Sequence, residues 1–182
     1  MIIVSDEKSV EWSLVTMDFN IGDKAVHKTH GVGIINGTET LNFGGGAQEY
    51  YLLQILTTGV TVRFPKLGGT RIIRKVVNES EIPKIYQILT GPSRNYSMVW
   101  NRRKKEYLEK INSGSIFDVA EVLRDLSNLR SGKDLSFGEK EMLEMAKARL
   151  VDEISASKSL HEDAVSAELD TILPKMRVSV PN

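Results

Sequence analysis

Residues 98–110 read MVWNRRKKEYLEK, so Trp100 stands one residue ahead of four consecutive cations, Arg102, Arg103, Lys104 and Lys105. A tryptophan is usually spent on a core, and a cation run on water or phosphate. At about 100° per residue, Tyr96, Trp100, Tyr107 and Ile111 fall within about 60° of one another on a helix. Arg103 and Lys104 fall on that same side, and a core does not accept two adjacent unpaired cations. Two readings stay open. Either the cations snorkel outward and Trp100 is an ordinary core residue, or the core ends before the first turn. In the second case Trp100 sits at a helix end, beside cations and the positive pole of the helix dipole, which is a place for a polyanion. An indole pressed into the minor groove against a distorted base step favours opened or kinked DNA. Arg102, Arg103 and Lys105 would then hold adjacent phosphates, contacts that fix position and read no sequence.

Other chemistry finds little support. With no cysteine, disulfides, thiolate metal sites and cysteine nucleophiles are excluded, which fits a reducing cytoplasm. His27 and His30 are spaced H-x-x-H, but the third histidine is distant His161, so no ligand set for a metal is apparent. The GGGAQ stretch at 44–48 lacks the lysine and hydroxyl residue of a phosphate-binding loop. No nucleophile, base and oxyanion donors assemble. The expectation is a non-enzyme without cofactor or metal. No apolar run approaches a membrane span, and the start, MIIVSDEKSV, lacks a secretion signal's basic and long apolar regions. A monomeric cytoplasmic protein is expected.

The elements that must position Trp100 come in two blocks. In residues 20–77, DKAVHKTH (23–30), VGIINGTET (32–40), EYYLLQIL (49–56), VTVRFP (60–65) and TRIIRKVV (70–77) read as strands. The TTG at 57–59 joins the third and fourth as a hairpin, and Pro65 closes the fourth. Such a run of short strands predicts a small, strongly curved sheet or barrel. From residue 78 the period becomes helical. Asn78 with Glu81 resembles a capping box ahead of a short helix ended by Gly91-Pro92. A second helix runs from about Tyr96 to Asn112, and Gly114 stops it. A third starts at Ser115 and carries Ile116, Val119, Ala120, Leu123 and Leu126 at helical spacing. Ser136 and Glu139 cap a fourth, whose stripe is Leu143, Ala146, Leu150 and Ile154. HEDAVSAELDTILP forms a fifth. The fold class is therefore α+β. An unplaced extension (1–19) is followed by a β domain (20–77), an all-α compact helical domain (78–173) and a frayed tail (174–182).

Lysine plus arginine and aspartate plus glutamate balance at 24 each, so only the local distribution is informative. Residues 1–78 carry 8 basic and 7 acidic side chains, residues 79–113 carry 7 and 4, and residues 114–182 carry 9 and 13. Positive charge centres on the Trp100 segment.

TVRFP, WNRRKKEYLEKINSG, VAEVLRDL and LSFGEKEML, in that order, resemble the CarD/CdnL family of bacterial transcription regulators, from IGDKAVHKTHGVGII to about Leu160. The β block also resembles the polymerase-interacting module of the transcription-repair coupling factor. The chain departs at His27-Lys28, where many relatives carry Tyr-Pro, and at Leu41, where some carry arginine. The resemblance implies a Tudor-like (SH3-like) β barrel that binds the β subunit of RNA polymerase. It implies a helical domain that touches promoter DNA at the upstream edge of the melted bubble, without sequence preference, and stabilises the open complex. It makes Trp100 the wedge. Lys140 matches a position in the family's basic surface, and Arg94 extends it. Arg63 becomes a polymerase contact on the barrel edge, flanked by Thr61, Val62 and Pro65, with strand addition as the natural mode. The acidic balance of residues 114–182 motivates a different reading, a polymerase-docking adaptor that binds protein rather than DNA.

Overall fold

The computed structural model describes residues 18–43, 46–67, 72–93, 99–132 and 134–173. Arg94 and Tyr96 lie outside them.

Five strands form one antiparallel sheet: β1 (Lys24–His27), β2 (Gly31–Phe43), β3 (Gly46–Ile55), β4 (Thr61–Pro65) and β5 (Ile73–Lys75), ordered β4-β3-β2-β1-β5. The hairpin read at residues 57–59 is present, with Leu53 opposite Val62. β2 and β3 are longer than the sequence pattern indicates. They hold their pairing across an irregularity between Ile35 and Gly37, where Asn36 interrupts the register. Such a bulge bends and twists the strand, which helps a five-stranded sheet curl on itself. Alternation along β3 turns Tyr51, Leu53 and Ile55 inward. They meet Ala25, Ile35, Phe64 and Ile73 in a compact core. Phe19, the last residue of the stretch that the sequence left unplaced, belongs to this core. Its ring meets those of Tyr51 and Phe64 edge-on, and its N–H donates to the Tyr51 hydroxyl.

The helical block follows a 3-10 turn (Glu79–Glu81) with α1 (Ile82–Thr90), α2 (Trp100–Ile111), α3 (Ile116–Gly132), α4 (Phe137–Lys158) and α5 (Glu162–Ile172). Both capping boxes form, Asn78 with Glu81 and Ser136 with Glu139. Each satisfies backbone donors that a helix start leaves open. α3 is the hub and packs on α1, α2 and α4, while α4 also carries α5. The expected apolar residues of α3 and α4 are all in the core, with Tyr107 and Ile111 of α2 beside them.

The two blocks are bolted together along α4, which packs on β2. Val26 and Val32, opposite each other on β1 and β2, face the helices and line a small cavity with Ile111, Ile116 and Val119. Around it run polar links. Arg74 forks onto Glu153, with Nη2 donating to Oε2 at 2.8 Å and Nη1 to Oε1, and its Nε donates to the Gly114 carbonyl. The Val77 N–H donates to Glu153 at 3.0 Å, and the Ser157 hydroxyl donates to the Val77 carbonyl at 2.8 Å. Lys24 reaches the Ala156 carbonyl, and Arg149 reaches the Thr29 carbonyl. Gly31 is needed at this approach, because its φ is +87° and a Cβ there would press on the Arg149 guanidinium.

Candidate nucleic-acid interface

α2 begins at Trp100 itself, later than the expected start near Tyr96, and its N-cap Val99 makes no side-chain cap bond. Tyr107 and Ile111 are buried, and Trp100 lies half-buried at the margin of the same core. The core therefore thins out along the first turn of α2. The indole rests on the first turn of α4, at Gly138. A methyl group at position 138 would sit 2.9 Å from Trp100 Cζ2, so this close approach needs glycine.

Arg103 answers the puzzle of a cation on the core side of the wheel. Its side chain is only 13% exposed, and Nη2 donates to Oε1 of Glu139, itself 3% exposed, at 2.7 Å. Its guanidinium lies 5.7 Å from the centre of the Trp100 ring, within cation–π range. The other oxygen of Glu139 accepts from the backbone N–H and hydroxyl of Ser136, each at 2.8 Å. The capping box of α4 and the start of α2 thus form a single bonded unit. The first turns of two helices meet there, and their open N–H groups give the corner positive potential.

The remaining cations point outward. Arg102 and Lys105 are exposed, and each faces a glutamate one turn along, Glu106 at 3.1 Å and Glu109 at 3.9 Å. Exposed pairs of this kind are worth about 0.3–0.5 kcal/mol, so a phosphate can displace them. Lys104 and Lys140 are exposed, and no ion pair involves either among the described residues. Two apolar side chains complete the corner, Val99 at 62% exposed and Phe137 at 85%. Phe137 was missed in the sequence, although a signal exists. At about 100° per residue it lies about 135° from the centre of the buried stripe of α4, so packing does not account for it. Arg102 and Lys105 lie on the opposite face of α2, while the half-buried indole, the exposed Val99 and Phe137 and the outward Lys104 and Lys140 belong to the two helix starts that meet at Gly138. That combination suits base or sugar contact flanked by phosphate contacts.

A second feature lies on the sheet. β4 ends the strand order, so one of its sides faces away from β3. The bonds from Ile55 N–H to the Val60 carbonyl and from Lys66 N–H to the Glu49 carbonyl fix the alternation. Residues 60, 62, 64 and 66 bond inward to β3, and Thr61 and Arg63 turn their N–H and C=O groups to the other side, an edge that is open among the described residues. Pro65 has only a carbonyl to offer there. Arg63 is exposed and is held at 2.7 Å by Glu39, two strands away. Val62 is half-buried against the barrel core, so its side chain points the other way from those of Thr61 and Arg63.

The His27 and His30 rings lie with centres 4.7 Å apart and planes tilted by 41°. His27 Nδ1 accepts from the N–H groups of Thr29 and His30, which makes it a turn-former. Among the described residues no group of three or more histidines, cysteines or acids is placed to hold a metal ion, and no helix is long and apolar enough to cross a membrane.

Comparison with known proteins bears on both features. Residues 84–170 match the family "CarD, C-terminal domain", and residues 19–77 match "CarD-like/TRCF RID domain". A putative transcription factor, YdeB of Bacillus subtilis (strain 168), is 32% identical over 151 residues, 82% of this chain and 98% of the relative. The chain belongs to the CarD family. The transcription-repair-coupling factors of Staphylococcus aureus strains USA300 and NCTC 8325 are 32% identical over 109 residues, 60% of this chain but 8% of their own length. A Tudor-like β domain followed by a helical domain is thus both the observed architecture and the family arrangement.

Proposed function

We propose that this CarD-family chain is a transcription regulator that docks on the β subunit of RNA polymerase and stabilises the promoter open complex. Residues 20–77 form the docking module, and residues 78–173 contact DNA. The open edge of β4, with Thr61, Arg63 and Pro65, receives a strand of polymerase. The likeness of the β domain to part of the coupling factor supports polymerase as the partner. Trp100, with Phe137 and Val99 beside it, lies against the upstream fork of the bubble. Arg102, Lys105 and Lys140 hold the neighbouring phosphates.

The observation that carries this reading is the meeting of two helix starts at Trp100, where the half-buried indole rests on Gly138 and Val99, Phe137, Lys104 and Lys140 are exposed on the same two starts. The effect on transcription follows by linkage. A protein that binds the open state better than the closed one shifts the population toward open. Weak DNA affinity suffices, because docking on polymerase raises the effective concentration at the fork.

The test is the lifetime of an open complex formed with polymerase holoenzyme and challenged with competitor. Wild type should lengthen the lifetime, and Trp100→Ala should lose most of that gain while still binding polymerase. Equal lifetimes for the two would remove the wedge and leave the protein-binding adaptor.

A further inference from the structure

We infer that Arg103 is a positioning residue for Trp100 rather than a phosphate ligand, and that the Arg103–Glu139 pair keys the indole to the first turn of α4. This rests on the DNA reading above and assigns a division of labour within that site.

Arg102 and Arg103 are neighbours in sequence and differ in circumstance. The Arg102 side chain is 74% exposed, and its partner Glu106 is on its own helix. Arg103 is nearly enclosed, and its partner lies on another helix, 36 residues away. The guanidinium stands over the indole on one side and donates to Glu139 on the other. Glu139 is in turn fixed by Ser136 through its second oxygen. Arg103 therefore joins Trp100 to a cap that is itself closed. Gly138 admits the ring between these contacts. Phe137 and Lys140 flank the same turn, so the pair sets where they stand relative to the indole. Drawing Arg103 out to a phosphate would strand the Glu139 carboxylate in a buried place and release the ring at once. A planar fork suits this position and an ammonium does not, because the same group must lie over a ring and meet a carboxylate.

The two roles predict opposite signs. Glu139→Gln keeps the capping box, since glutamine serves at that position, but removes the charge that holds Arg103. If Arg103 were a phosphate ligand restrained by Glu139, this change would tighten DNA binding. If Arg103 positions Trp100, binding weakens. Salt gives a second discriminator. Each phosphate contact contributes about 0.9 to the slope of log K against log salt on duplex DNA.

The experiment uses the full chain carrying Trp12→Phe, so that Trp100 is the sole tryptophan, and a labelled fork-junction DNA fragment. Arg102→Gln should lower the salt slope by close to one contact. Arg103→Gln and Glu139→Gln should weaken binding roughly tenfold, the scale of one lost aromatic–base contact, with the slope unchanged. Arg103→Lys should fail to rescue. Without DNA, the emission maximum and acrylamide quenching of Trp100 should change in all three variants at Arg103 and Glu139, and not in Arg102→Gln. Tighter binding by Glu139→Gln, a slope lowered by Arg103→Gln, or rescue by Arg103→Lys would overturn the inference, as would unchanged fluorescence. If Trp100→Ala and Arg102→Gln bind the fork like the parent, the DNA reading fails, and the fluorescence alone then decides the role of Arg103.

Discussion

Glu153→Ala should loosen the joint between the two domains by an amount that the structure allows one to work out. The carboxylate is 3% exposed and receives both arms of the Arg74 fork and the Val77 N–H. Removing one partner of a buried pair costs about 3–5 kcal/mol, chiefly because the other charge is left uncompensated. Arg74 keeps 29% of its side-chain surface and two backbone acceptors, Gly114 and Lys75, so its loss is softened. The Val77 N–H is left without its carboxylate, which adds about 1 kcal/mol. The net expectation is a loss of about 2–4 kcal/mol. For a chain of this size, 1 kcal/mol shifts Tm by about 2–4 °C, so Tm should fall by roughly 5–15 °C. Differential scanning calorimetry reads this directly. A single transition should also broaden or split, as the β and helical domains cease to melt together. Replacing both partners, Arg74→Met with Glu153→Met, should recover most of the loss, because an apolar pair of similar volume is often neutral. A Tm within about 2 °C of wild type for Glu153→Ala would refute the reasoning, and the domain joint would then rest on the apolar contacts of Val26 and Val32.

Three further expectations can be checked alongside. Gly138→Ala puts a methyl group against the far end of a half-buried indole, which can swing away, so stability should change by less than about 1 kcal/mol while open-complex lifetime falls several-fold. Asp152 is held at about 6 first by burial and then by Glu162, against the pull of Arg149. The folded state therefore takes up the proton more readily than the unfolded state, and the charged group destabilises the fold above about pH 6, an effect lost as pH falls through 6 toward 4. Asp152→Asn should stabilise by about 1 kcal/mol at pH 7 after allowance for its exposure, and by nothing near pH 4, in urea melts at the two pH values. Thr61→Pro deletes one outward N–H of the β4 edge without touching a bond to β3. It should weaken polymerase binding about fivefold in a pull-down or interferometry titration and leave Tm in place.

What the sequence made legible was local. The hairpin at 57–59 and the capping boxes Asn78/Glu81 and Ser136/Glu139 depend on residues a few positions apart, and all formed. The stripes of α3 and α4 were readable because burial imposes its period on the chain. The role of Arg103 was not readable. The wheel put it on the core side, which posed the question, but its partner lies on another helix and no short-range pattern links the two. The Asn36 irregularity was hidden for a similar reason, since register is a property of two strands. Phe137 was legible in principle, because a large apolar residue off the stripe of an amphipathic helix asks for an explanation other than the core.

Pro65 has a consequence for the behaviour of the chain at high concentration. An open strand edge is a template for self-assembly as readily as for a specific partner. Here the template is short. Only Thr61 and Arg63 present complete pairs of outward backbone groups, and Pro65 ends the ladder beyond them. A second copy laid antiparallel and centred on Arg63 would bring two guanidiniums face to face. Growth into a continuous sheet is therefore limited by the length of the ladder and opposed by two like charges that Glu39 offsets only in part, while a foreign strand carrying an acid opposite Arg63 meets no like charge. The strand that leaves the backbone groups of Thr61 and Arg63 open thus also limits how far it can pair with its own kind.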